Sequence, residues 1–247
     1  MLKLEKSRWT LVEALLSQTG TRGDDAFCRF ADGRQCSYGE LDRASDTFAS
    51  GLARLGVGPG DRVMIIARNR LEFLTAFFGT QKRRAILVPI NTEIRGDFLA
   101  HQVANCEPRA IIVDDGYSSE LNSIAWPEGA CFIRISDGPP TPKTHSSRQF
   151  SELCGALHPP SILTPAAEDT CLILYTSGTS GPSKGVVIPQ AHAFLFGLQQ
   201  ARTVSLQRND TYYITLPMFH VNALLMALGA CLLSVERLGR PETGDPR

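Results

Sequence analysis

Apolar residues in this chain fall into two kinds of run, and the two kinds alternate. Short runs bounded by Gly, Pro or charged residues read as buried strands: Arg62–Ala67, Ala85–Pro89, Ala110–Val113, Cys131–Ile135 and Leu172–Tyr175. Longer stretches with apolar positions three and four apart read as helices. One of these carries Leu41, Ala44, Phe48, Leu52 and Leu55 on one face and is ended by Gly56, Gly58, Pro59 and Gly60. Ser37 and Glu40 form a capping box at its start. Further helices are predicted over Trp9–Leu16, Leu71–Thr80, about Arg95–Asn105, Gln190–Thr203 and Val221–Leu233. Ala26–Phe30 and Gln35–Ser37 read as strands around the Asp32-Gly33 turn, and Val186–Ile188 and Tyr212–Leu216 as two more. Repeated alternation of strand and helix predicts an α/β fold, a parallel sheet with helices on both faces.

Trp126–Pro165 breaks this rhythm. It is rich in Pro, Ser and Gly and, apart from Cys131–Ile135, reads as a surface connection. The chain therefore divides into a first α/β subdomain over residues 1–165 and the start of a second over 166–235. Residues 236–247, charged and rich in Gly and Pro, read as a disordered tail.

Open parallel sheets bind ligands beyond the carboxyl ends of their strands. After Leu172–Tyr175 the chain runs Thr176-Ser177-Gly178-Thr179-Ser180-Gly181-Pro182-Ser183-Lys184-Gly185. Thr176, Ser177, Thr179, Ser180 and Ser183 supply hydroxyls, and Lys184 supplies one mobile positive charge. Gly178, Gly181 and Gly185 permit positive φ and close backbone approach. N–H groups, hydroxyls and an ammonium suit a polyphosphate, whose oxygens only accept. The spacing excludes a P-loop. Counting from Gly178, that motif needs Gly at Ser183 and a hydroxyl at Gly185. A bare flexible linker is the bland alternative; the flanking apolar runs and the single Lys argue against it.

Lys plus Arg and Asp plus Glu both number 25 in the 247 residues, so nothing favours nucleic acid or an acidic membrane as partner. Seven Cys without C-x-x-C spacing argue against a zinc site or a disulfide framework. They fit core residues and free thiols in a reducing, cytoplasmic compartment. The N-terminus lacks the apolar core of a signal peptide. Val221–Val235 is short for a membrane span and contains Asn222 and Gly229, so it reads as a core helix.

Tyr175 to Val186 resembles the phosphate-binding loop of the AMP-forming adenylating enzymes, which include acyl-CoA synthetases, luciferases and peptide-synthetase adenylation domains. Their pattern is Tyr/Phe-Thr-Ser-Gly-Thr-Thr/Ser-Gly-x-Pro-Lys-Gly-Val, and Ser183 stands where Pro is usual. Tyr38-Gly39-Glu40-Leu41, Gly60-Asp61-Arg62-Val63, Val88-Pro89-Ile90-Asn91 and Leu216-Pro217-Met218-Phe219-His220-Val221 resemble further family stretches. The closest flavour is that of carnitine/crotonobetaine-CoA and medium-chain acyl-CoA ligases. Two more stretches depart from the pattern. Gln81-Lys82-Arg83-Arg84 replaces small apolar residues, which puts local packing in doubt, and Pro189-Gln190 replaces Thr-His.

The resemblance implies ATP-dependent activation of a small carboxylic acid to acyl-AMP and then acyl-CoA. It implies ATP, Mg²⁺ and CoA as cofactor or co-substrate. Thr176, Ser177, Gly178, Thr179, Ser180, Gly181 and Lys184 would hold the phosphates, and Lys184 would act catalytically by adding charge as pyrophosphate leaves. His220 would border the acyl pocket; an ordinary core or surface histidine is the alternative. The family's later motifs have no counterpart here: the Gly-Tyr-Gly-x-Thr-Glu stretch at adenine and Mg²⁺, the ribose-binding Thr-Gly-Asp, and the C-terminal Lys. The chain is thus expected to be an N-terminal part, incomplete for catalysis, with a missing C-terminal half or a second copy as partner. A non-catalytic remnant that binds nucleotide or another protein is the competing expectation.

Overall fold

The computed structural model describes residues 4–117, 121, 124–136, 147–155, 162–176, 182–207 and 209–234. The expected tail at 236–247 lies outside these. After one 3₁₀ turn, helix α1 spans Leu11–Arg22. Thr10 caps it, its hydroxyl accepting from the Glu13 N–H at 3.0 Å. The helix outruns the expected Leu16 because Gln18, polar in sequence, is buried and donates to the Leu232 carbonyl at 2.6 Å. Strands β1 (Ala26–Arg29) and β2 (Gln35–Ser37) form a separate antiparallel pair. β2 leads into α2 (Tyr38–Arg54), where both bonds of the Ser37/Glu40 capping box are made.

The main sheet follows. Its strands are β3 (Arg62–Ile66), β4 (Ile86–Pro89), β5 (Ala110–Asp114), β6 (Cys131–Ile135), β7 (Ser147–Gln149), β8 (Thr170–Thr176) and β9 (Lys184–Pro189). The order is β7-β6-β5-β3-β4-β8-β9, so strands on either side of residue 165 share one sheet. Every pair is parallel except β8 and β9. The sheet is therefore parallel with one antiparallel edge. Seven residues separate β8 from β9, too few for the crossover a parallel neighbour needs.

Alternate strand residues feed two cores. Val63, Ile65, Leu87, Ile112, Ile133 and Leu172 face α1, α2, α3 (Leu71–Gln81), α6 (Gln190–Thr203) and α7 (Leu228–Leu233). Met64, Ile66, Val88, Ile111 and Val113 face α4 (Gly96–Cys106), meeting its Leu99, Val103 and Cys106. Burial on both faces explains why these strands read as unbroken apolar runs.

Three local expectations are corrected. The Trp126–Pro165 connection holds β7 and a short helix α5 (Phe150–Cys154). Phe150 stacks on Phe48 of α2 with ring centroids 4.5 Å apart. Only Phe150 and Leu153 of α5 are buried, too few to show a period against the surrounding Ser and Pro. The strand expected at Tyr212–Leu216 is absent among the described residues. Tyr213 is 84% exposed, and Asn69 instead holds the segment after it. The Val221–Leu233 helix forms, but its first part, Asn222–Ala227, is wound as a π-helix before α7 begins.

The atypical Gln81-Lys82 pair is fully buried, and the packing it left in doubt is resolved by hydrogen bonds. Lys82 Nζ donates to the Asp42 carbonyl at 3.0 Å and to the carboxylates of Asp42 and Asp46, using all three of its protons. Gln81 Nε2 donates to the Cys171 carbonyl at 3.0 Å, and Gln190 Nε2 donates to Gln81 Oε1. The two departures noted in the sequence thus meet each other in the core, Gln81 at the end of α3 and Gln190 at the first position of α6.

Candidate functional site

β8 carries the chain outward to Thr176, and β9 starts back at Lys184. The two residues are direct partners in the antiparallel register. Both are exposed, at the carboxyl end of β8. Ser177, Gly178, Thr179, Ser180 and Gly181 lie outside the described residues; the hairpin fixes only where their loop leaves and returns. Gly185 does not need positive φ. It lies in β9, where an added Cβ would stand 2.8 Å from Ile173 Cγ2, so close packing against β8 accounts for it.

Helix α4 grips this hairpin, and nothing in the sequence pointed to it. His101 Nε2 lies 3.0 Å from the Ser183 carbonyl and can donate to it. Gln102 Nε2 donates to Ser183 Oγ at 3.1 Å. The Tyr175 hydroxyl donates to Asn105 Oδ1 at 2.6 Å. Burial raises the Tyr175 pKa well above its usual range, with the nearby Cys106 thiol adding to the effect, so the phenol stays a donor. The unusual Ser183 thus gains a bond that Pro has no group to make. Ser183→Ala is expected to cost about 1 kcal/mol in urea unfolding, the size of one side-chain hydrogen bond. A change below a few tenths of that would show the Gln102 contact to be idle.

A second segment approaches the carboxyl ends of the strands. Asn69, just beyond β3, donates from Nδ2 to the Leu216 carbonyl at 2.9 Å and accepts at Oδ1 from the Met218 N–H at 2.7 Å. This doubly bonded amide fixes the Leu216-Pro217-Met218 turn. His220 follows on the surface, its ring 4.5 Å from Phe219 and its N–H bonded to the Pro217 carbonyl. Beside Asn69, Arg68 and Arg70 both bond the buried Asp114 carboxylate, at 2.9 and 3.1 Å, and brace the ends of β3 and β5. Arg70 and Arg34 also flank Glu72, at 2.8 Å each, and hold its carboxyl below the usual range although burial pulls the other way. No group of His, Cys, Asp and Glu able to hold a metal ion occurs among the described residues.

Thr176 and Lys184 thus put a hydroxyl and an ammonium on cross-strand partners where the chain leaves β8 and re-enters the sheet. The family profile for the AMP-binding enzymes matches residues 16–245. The chain belongs to the AMP-binding enzyme family. Among curated family members, it is 32% identical over 214 residues to a medium/long-chain-fatty-acid–CoA ligase of Mycobacterium tuberculosis, covering 86% of this chain and 34% of that protein. It is 31% identical over 204 residues to a crotonobetaine/carnitine–CoA ligase of Salmonella paratyphi B, covering 76% and 37%. It is 28% identical over 236 residues to long-chain fatty acid transport protein 6 of Mus musculus, covering 94% and 38%. The chain thus spans little more than a third of the curated relatives it matches.

Solved structures agree on the fold. An anthranilate CoA ligase in complex with anthranoyl-AMP superimposes with a TM-score of 0.80 at 21% identity, over 96% of this chain and 46% of that one. ATP-bound MatB from Rhodopseudomonas palustris gives 0.78 at 24% identity, over 93% and 44%. No helix among the described residues is long and apolar enough to cross a membrane.

Proposed function

We propose that this chain carries the triphosphate-binding part of an ATP-dependent acid–thiol ligase. The observation that supports this most is the opposition of Thr176 and Lys184 at the two ends of the Ser177–Gly181 loop. In this reading a small carboxylic acid attacks the α-phosphorus of ATP, giving acyl-AMP and pyrophosphate, and the thiol of CoA then displaces AMP. No protein nucleophile is needed, so catalysis rests on positioning and on charge stabilisation. Thr176 Oγ1 donates to a phosphate oxygen, together with the N–H groups and hydroxyls of Ser177, Gly178, Thr179, Ser180 and Gly181. Lys184, exposed at the start of β9, follows the β- and γ-phosphates and neutralises charge as pyrophosphate departs. His220 borders the acyl group on the segment that Asn69 holds. The named activities of the ligases above are consistent with this reading.

Lys184→Ala is expected to weaken ATP binding roughly 10- to 150-fold, the loss of one charge-assisted hydrogen bond. Adenosine, with no phosphate to contact, should bind equally to both proteins. Calorimetric titration of the two ligands against the two proteins decides the matter. Equal losses for ATP and adenosine would exclude a phosphate role for Lys184.

A further inference from the structure

The β1–β2 hairpin lies apart from the main sheet and from the phosphate loop, and it places two thiols together. Cys28 and Cys36 are direct cross-strand partners, with Sγ atoms 3.3 Å apart. Facing residues of an antiparallel pair have Cβ atoms about 4.5–5.5 Å apart, close to what a disulfide bridges. Joining the sulfurs needs an approach of about 1.3 Å, to a bond of about 2.05 Å, which side-chain rotation supplies. The register shifts between Ala26 and Cys28, and pairing resumes at Cys28 with Cys36. The Phe30 N–H still bonds the Arg34 carbonyl at 2.7 Å beyond the pair.

We propose that Cys28 and Cys36 form a reversible dithiol/disulfide site that exchanges with low-molecular-weight disulfides of the glutathione class. The Cys28 thiolate attacks one sulfur of the small disulfide, forming a mixed disulfide and releasing one small thiol. The Cys36 thiolate then attacks the Cys28 sulfur, forming the intramolecular bond and releasing the second small thiol. Two protein thiols are oxidised and one disulfide is reduced, and the two protons end on the released thiols. Cys28, half-buried, offers the accessible sulfur, and Cys36, buried behind it, is the resolving partner.

Four of the five other cysteines are poor competitors. Burial pushes Cys106 and Cys154 up to about 12 and Cys231 to about 11, and raises Cys171 as well. The bond would close the 28–36 loop around the Asp32-Gly33 turn. That hairpin is tied to the start of α2 and the end of α1, because the Tyr38 and Gly39 N–H groups bond the Asp25 and Gly23 carbonyls at 3.2 and 2.8 Å.

The test is equilibration of the folded chain in graded mixtures of reduced and oxidised glutathione, then acid quench, alkylation and peptide mass mapping. A Cys28–Cys36 cross-link, lighter by two hydrogens and reversed by dithiothreitol, should form while the other five of the seven thiols remain free. In Cys36→Ser the reaction should stop at a glutathione adduct on Cys28; in Cys28→Ser neither product should form. A lasting glutathione adduct on unaltered Cys28, a Cys28–Cys231 bond, or a link between chains would each overturn the assignment. So would oxidation only after denaturant is added. If a variant does not fold, the cross-link in the unaltered chain is decisive by itself.

Discussion

Gly197→Ala is expected to lower the thermal midpoint by roughly 4–8 °C, although helix propensity alone would raise it. Gly197 lies inside α6 where that helix crosses α7, and its neighbour there is Gly229. A Cβ built at Gly197 would stand 2.6 Å from the Gly229 carbonyl carbon and 2.8 Å from its Cα. Both are backbone atoms, so no side chain can rotate away. The helices must separate, and the packing of Phe194, Leu198, Leu228 and Leu232 loosens with them. Overpacking of this kind costs about 3 kcal/mol, against about 1 kcal/mol gained by replacing a helical Gly, leaving a loss of about 2 kcal/mol. Gly20 in α1 is the control. Nothing lies within 4 Å of its built Cβ, so Gly20→Ala should raise the midpoint. Calorimetry of the two variants settles it: shifts of the same sign would mean that the crossing does not depend on backbone contact.

Lys82→Met should destabilise the chain by about 2–3 kcal/mol, seen as a fall of about 1 M in the urea midpoint. Methionine nearly keeps the volume, so the loss reports charge rather than a cavity. Three acceptors at the Asp42 carbonyl and the Asp42 and Asp46 carboxylates lose their common donor. Those carboxylates then repel each other four residues apart on α2. Their side chains keep 14% and 34% exposure, which keeps the cost below that of a sealed charge. Adding Asp42→Asn and Asp46→Asn should recover most of the loss, because removing a whole buried ionic cluster is far milder than breaking it. If the triple variant is no more stable than Lys82→Met, the cost lies in shape and not in charge.

Much of this architecture is legible in the sequence. Cys131–Ile135 and Gln190–Thr203 form with the predicted bounds because Gly, Pro or a polar residue closes each run. What escaped has no local pattern. β9 begins at Lys184 rather than Val186 because, on an edge, its first four residues are exposed and show no strand-like alternation. Its antiparallel sense follows from a short connection and not from composition. Tyr212–Leu216 carries the composition of a strand but finds no partner strand among the described residues. Thr176 and Lys184 stand out by their chemistry, and the register brings them face to face. His101, Gln102, Asn105 and Asn69 do not stand out, since ordinary polar residues become supports only when a distant segment arrives beside them.

The hairpin has one more consequence, for how errors would travel through it. Lys184 is a surface residue, yet its position is dictated four rungs away, where Ile188 opposes Leu172 in the core. Strand side chains alternate, so a slip of one rung there would turn Lys184 to the other side of the sheet. Val186 and Val187, between the two, are exposed and carry little of that constraint. The aim of the charge is therefore inherited from buried hydrocarbon, and a defect in the core at Ile188 would surface as a misplaced Lys184 ammonium.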